Sequence, residues 1–175
     1  MVDTNFPYQI VILTPDYSIT GGLFLKEKRL SDFLNEKLDS TILLRNSTIA
    51  RLEEPARIIE KTDMAVIPKA GMVLAFEPPQ KTTPAGRQYF KYPKQKYDVF
   101  LAMDGMEVHG KLNVRGPLNV RQAITDLSNS FMPITDAIVT LRANPGFMVK
   151  REAVLVNVQR IRFIGELEPA APPEE

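Results

Sequence analysis

His109 is the single imidazole in the sequence, and no cysteine accompanies it. On a strand, side chains two apart share a face, so Glu107 and His109, with Asp104 in the adjoining turn, form the one grouping of metal-ligand types at a usable spacing. Two oxygens and one nitrogen on a hairpin are equally the ordinary solvated positions of such a turn. The residues that align with them in the first half, Pro15, Ser18 and Thr20, cannot ligate comparably. No metal and no other cofactor is therefore expected. Nucleophilic catalysis is no better served, because any triad would have to recruit His109 as its base. The carboxylates of Glu53, Glu54 and Asp63 fall in a polar stretch expected to be a loop between a third and a fourth strand, where nothing would raise a carboxyl pKa for acid work. Gly21-Gly22 lies inside a strand pattern, and no G-x-x-x-x-G-K-[ST] phosphate loop occurs. We read the sequence as that of a non-enzymatic protein.

A second kind of chemistry is legible between the two halves. Lys81, Arg87, Lys91, Lys94 and Lys96 interleave with Tyr89, Phe90, Tyr92 and Tyr97, without one acidic residue from 81 to 96. The whole chain of 175 residues balances 22 Lys+Arg against 21 Asp+Glu, so this local excess is hidden in a net charge of +1. Cations beside stacking rings suit a single-stranded nucleic acid, with Arg87, Tyr89, Lys91, Tyr92, Lys94 and Lys96 as the candidate contacts. The same mixture suits an acidic protein groove, or a plain solvated crossover. Prolines and the lack of periodicity mark residues 79–96 as a linker.

The elements that would position these groups come in two sets. Residues 8–21, YQIVILTPDYSITG, align without gaps on residues 97–110, YDVFLAMDGMEVHG, at an offset of 89. Pro15-Asp16 falls on Asp104-Gly105, each a turn dipeptide between β-forming runs. With one inserted residue, 40–49 match 130–139, and the offset then returns to 89 for 63–77 against 152–166. Each set reads as a hairpin, a short amphipathic helix, a central strand and a closing hairpin. The helices are expected over residues 29–38, with the stripe Leu30, Phe33, Leu34 and Leu38, and over 120–127, with Asn119 as N-cap and the stripe Val120, Ala123, Ile124 and Leu127. Fourth strands are expected at 64–67 and 153–156, fifth strands at 72–77 and 160–164.

This pattern predicts a mainly β protein of two tandem small five-stranded barrels, each with one short helix between strands two and three, since closure best removes exposed edges. The divisions are 1–78 for the first barrel, 79–96 for the basic linker, 97–167 for the second barrel and 168–175 for an acidic tail expected to be disordered. A first hairpin with Gly21 or Gly110 at the end of its second strand, a central strand ending near Asn46 or Asp136, and a closing hairpin resemble the Sm-like (SH3-like) family of small barrels. That resemblance implies assembly through strand edges and, in many members, RNA binding. For the family's first motif this sequence offers only Asp32 and Asn35, and for its second Lys69-Ala-Gly71, with Gln159-Arg160 and no glycine in the second half. The helix also sits between strands two and three rather than leading, so RNA binding does not follow from the resemblance. Residues 29–35 further resemble a small uncharacterised bacterial domain with the same order of elements.

One pattern is too apolar for a strand with a wet face. Ile10 to Leu13 and Val99 to Met103 are apolar at every position, so both faces are expected to be covered. Val11 and Leu13 in one run, and Phe100 and Ala102 in the other, are the candidate protein-interface residues, facing the sister barrel or another chain. No apolar run approaches membrane-spanning length and no signal peptide is evident, so a cytoplasmic location is expected. The function expected is an assembly or adaptor module that binds a protein partner or itself, with RNA binding through the linker as the alternative.

Overall fold

The structure, a computed structural model, describes residues 8–79, 94–126 and 129–168. It is mainly β. The first half contains β1 (Tyr8–Leu13), β2 (Tyr17–Leu23), α1 (Leu30–Leu34), β3 (Thr41–Arg51), β4 (Ile58–Pro68) and β5 (Leu74–Phe76). The second contains β6 (Gln95–Met103), β7 (Met106–Val114), α2 (Val120–Thr125), β8 (Phe131–Leu141), β9 (Asn144–Asn157) and β10 (Ile161–Glu166). No helix among the described residues is long and apolar enough to cross a membrane.

The ten strands form one antiparallel sheet in the order β10-β6-β7-β8-β9-β5-β1-β2-β3-β4. This corrects the expectation of closed barrels. β5 pairs with β1 on one side, as a barrel's fifth strand would, but its other side pairs with β9 of the second half rather than with β4. Edge pairing between the halves thus replaces closure within each, and among the described residues β4 and β10 are left as the outer edges of the sheet.

The same pairing scheme occurs twice. Ile12 faces Ala75 in β1 and β5, and Leu101 faces Ile164 in β6 and β10, each residue 89 further along. A register shift interrupts β2 on β3 between Thr20 and Gly22, and β7 on β8 between His109 and Lys111. Opposite those bulges Asn46 and Asp136 take φ of 47° and 48°, a left-handed conformation that Asn and Asp tolerate better than most residues.

Several expected elements have different extents. α1 ends at Leu34 instead of residue 38, and Leu38 is 99% exposed, because the next residue, Asn35, leaves the helix to bond the second half. α2 is capped as expected, the Asn119 side chain accepting from the Gln122 N–H at 3.0 Å, and its last expected stripe residue, Leu127, lies outside the described residues. β4 and β9 are far longer than expected. Their distal halves carry few alternating apolar residues, yet they pair along nearly the full length of β3 and β8. Asp63 therefore sits on β4 and not in a loop.

Candidate interaction surface

β1 explains why every position of its run is apolar. Ile10 and Ile12 point into the core of the first half, among Leu34, Ile42, Leu44 and Met72. Val11 and Leu13 point the other way and pack with Val99, Leu101, Met103 and Val108 of the second half. Leu74 and Phe76 of β5 join them there. In return Phe131 and Leu155 of the second half are buried in the first core. The junction is thus an exchange in which each half completes the other's core.

Polar groups fix the register of this exchange. The Asn35 side chain accepts from the Phe131 N–H at 2.8 Å and donates to the Phe131 carbonyl at 3.0 Å. Asn157, nearly fully buried, donates its backbone N–H to the Val73 carbonyl at 2.8 Å and its amide to the Met72 carbonyl at 2.9 Å. Arg160 adds bonds to the Ala70 carbonyl. The Arg151 guanidinium lies 4.9 Å from the centre of the Phe76 ring, a cation–π contact across the same seam.

The second pair of interface candidates lies elsewhere. Phe100 and Ala102 are half-buried on the outer face of β6, opposite Gly165 and Phe163 of the edge strand β10. The Phe100 ring is 4.8 Å from that of His109 and 6.1 Å from that of Phe163, so the three form an aromatic group on that face. Leu13 is therefore buried inside the molecule with Val11 half-buried against the second core, whereas Phe100 and Ala102, also half-buried, belong to neither core. On the opposite edge β4 is exposed along most of its length and carries Ile58, Ile59, Met64 and Val66 outward. Leu43 of β3 lies directly beside Val66 and is exposed with it. Val66 and Phe163 were not singled out from the sequence. The signal was there, since the offset of 89 carries them onto Leu155 and Leu74.

The residues with chemical potential do not converge. Asp104 receives bonds from Arg162 at 2.7 Å and 3.2 Å and from Arg160 at 3.3 Å. The Arg162 hydrogen bond, with help from Arg160, holds its carboxyl below the usual range against some desolvation. His109 rests against the Phe100 ring. Among the described residues no group of His, Asp and Glu is placed to hold a metal ion. A depression lined by Pro15, Asp104, Gly105, Glu107, Arg142 and Arg162 has its cations already engaged, Arg142 with the Met103 carbonyl at 2.8 Å and Arg162 with Asp104. Glu53 and Glu54 lie exposed in the β3–β4 turn. Lys69 donates to the Glu36 carbonyl at 2.9 Å, tying the segment after α1 to the β4–β5 turn, and burial lowers its pKa. Of the nucleic-acid candidates, Lys94 and Lys96 are exposed at the start of β6, and Arg87, Tyr89, Lys91 and Tyr92 lie outside the described residues.

No family model, curated protein or solved structure matches the chain.

Proposed function

We propose that this protein is a non-enzymatic assembly module, built of two Sm-like five-strand units, that takes on protein partners or further copies of itself by pairing strands to its open edges. The observation that carries this reading is β4, an eleven-residue edge strand that no described strand covers on its outer side and that exposes Ile58, Ile59, Met64 and Val66. An unprotected strand edge presents a row of unpaired N–H and C=O groups, and neighbouring apolar side chains supply the driving force for adding a strand. Fully burying side chains of the size of Val66, Met64 and Leu43 contributes about 1.5–3 kcal/mol each, enough to hold a modest interface.

Solution mass by light scattering, at low and high salt and with the ratio of absorbance at 260 and 280 nm recorded, tests the reading. An assembly that survives salt and is dissolved by Val66→Lys is the expected result, since apolar burial is little screened while a buried lysine is costly. A monomer that carries nucleic acid and loses it in salt would overturn the reading in favour of the basic-aromatic segment, with Lys94 and Lys96 as its described members. An assembly that Val66→Lys leaves intact would overturn it in favour of another surface.

A further inference from the structure

We propose that the occupant of these edges is a second copy of this chain, bound head to tail, with β10 of one copy antiparallel to β4 of the next. The inference rests on the assembly reading and names its partner. Its basis is the junction already inside the molecule, where β5 pairs antiparallel with β9 and the two halves exchange core residues.

Matching the halves by strand register, β10 stands in the place of β5 and β4 in the place of β9. The residues at the two seams then correspond one to one. Leu74 is fully buried at the internal seam, and its counterpart Phe163 is 57% exposed at the end of the sheet. Leu155 is 7% exposed, and its counterpart Val66 is 61% exposed. Leu13 is buried in the neighbouring core and Val11 packs half-buried against it, while their counterparts Phe100 and Ala102 are half-buried and belong to neither core. The end positions have thus kept apolar side chains where a solvated strand would favour polar ones. The edge that offers Phe163 fits the edge that offers Val66 because the same two kinds of edge already fit one another at β5 and β9. Two edges of different kind give a heterologous contact, which repeats from copy to copy.

The internal register sets the new one. Leu74 opposite Val156 becomes Phe163 opposite Ile67 of the next copy, and Ala75 opposite Leu155 becomes Ile164 opposite Val66. One difference weakens the contact between copies. Pro68 stands where Asn157 donates to the Val73 carbonyl and spans Lys69 to Met72, so those bonds have no counterpart. The association is accordingly reversible and depends on concentration, unlike the seam within the chain.

Because the sequence has no cysteine, the register is testable by introduced thiols. Leu74 and Val156 flank the hydrogen-bonded row of Val73 and Asn157, so their counterparts form a close, non-hydrogen-bonded pair suited to a disulfide. Ile67→Cys and Phe163→Cys are purified separately, mixed and oxidised mildly, and the products are read on a non-reducing gel. A linked dimer in the mixture and in neither variant alone, with a ladder of multimers from the double variant, is the expected result. Val66→Cys with Ile164→Cys repeats the test at the next row should the first pair fold poorly. Self-linking of Ile67→Cys alone would show β4 paired with β4 and overturn the head-to-tail contact. So would a wild-type chain that stays monomeric at all concentrations. A wild-type multimer dissolved by Val66→Lys that gives no cross-link from either pair would overturn this proposal while leaving the edge reading standing. A multimer untouched by Val66→Lys would remove both.

Discussion

A methyl group at Gly110 would lie 2.4 Å from Cγ2 of Ile134 and 2.8 Å from the Thr135 carbonyl oxygen, at the bulge where β7 pairs with β8. Gly110→Ala must push the strands apart or force Ile134 from its rotamer, which costs about 1–3 kcal/mol in urea unfolding. Gly71→Ala, with nothing within 4 Å of the added carbon, is the control and should leave the urea midpoint nearly unchanged. Asp104 makes a second test at this scale. Its carboxyl pKa is lowered chiefly by the Arg162 hydrogen bond, so the folded state holds its charged form more tightly than the unfolded state does. The resulting stabilisation is present above about pH 4 and is lost as the pH falls through the lowered value, since protonation then favours the unfolded chain. Thermal melts between neutral and acid pH should show a step that Asp104→Asn reduces. The sequence around position 104 offers it as a metal ligand beside Glu107 and His109, and only the fold shows that two arginines, from β10 and its leading turn, reach it.

α1 illustrates how little of a short helix its own sequence controls. Leu34 is buried in the first core and Leu38, four residues on, is in solvent. Leu34→Ala should cost about 2–5 kcal/mol and Leu38→Ala nearly nothing, as read by chemical denaturation. The apolar spacing of Leu30, Phe33, Leu34 and Leu38 could not separate those two cases, because helix length here is set by Asn35 bonding the backbone of Phe131 across the seam. Strands are more legible where the apolar run is unbroken. β1 and β6 are readable from such runs, whereas the distal parts of β4 and β9 are not, since an exposed paired strand need not alternate. In the same way Asn119 could be named as a cap from its place before an apolar run, a purely local relation.

The exchange of core residues between the halves makes the molecule one cooperative unit. Leu13, Leu74 and Phe76 belong to the second core, and Phe131 and Leu155 to the first, so neither half keeps a complete core alone. Calorimetry should show a single unfolding transition with equal calorimetric and van't Hoff enthalpies. Phe131→Ala should cost about 3–5 kcal/mol and reduce hydrogen-exchange protection in β1 and β3 of the first half as well as in β8. By itself the sequence determined that the protein is mainly β, where most strands begin, which dipeptides turn, and that Val11, Leu13, Phe100 and Ala102 have to be covered or stand out. These follow from periodicity and local backbone preference, which act over a few residues. Only the tertiary structure decided that β5 pairs with β9 instead of closing on β4, and hence that Val11 and Leu13 pack with the core of the second half while Phe100 and Ala102 belong to neither core. The choice between closing a barrel and opening it onto a neighbour is a competition between two nearly equivalent strand edges. It is won by long-range contacts, such as Asn35 with Phe131 and Asn157 with Met72, whose partners are separated by 96 and 85 residues in sequence.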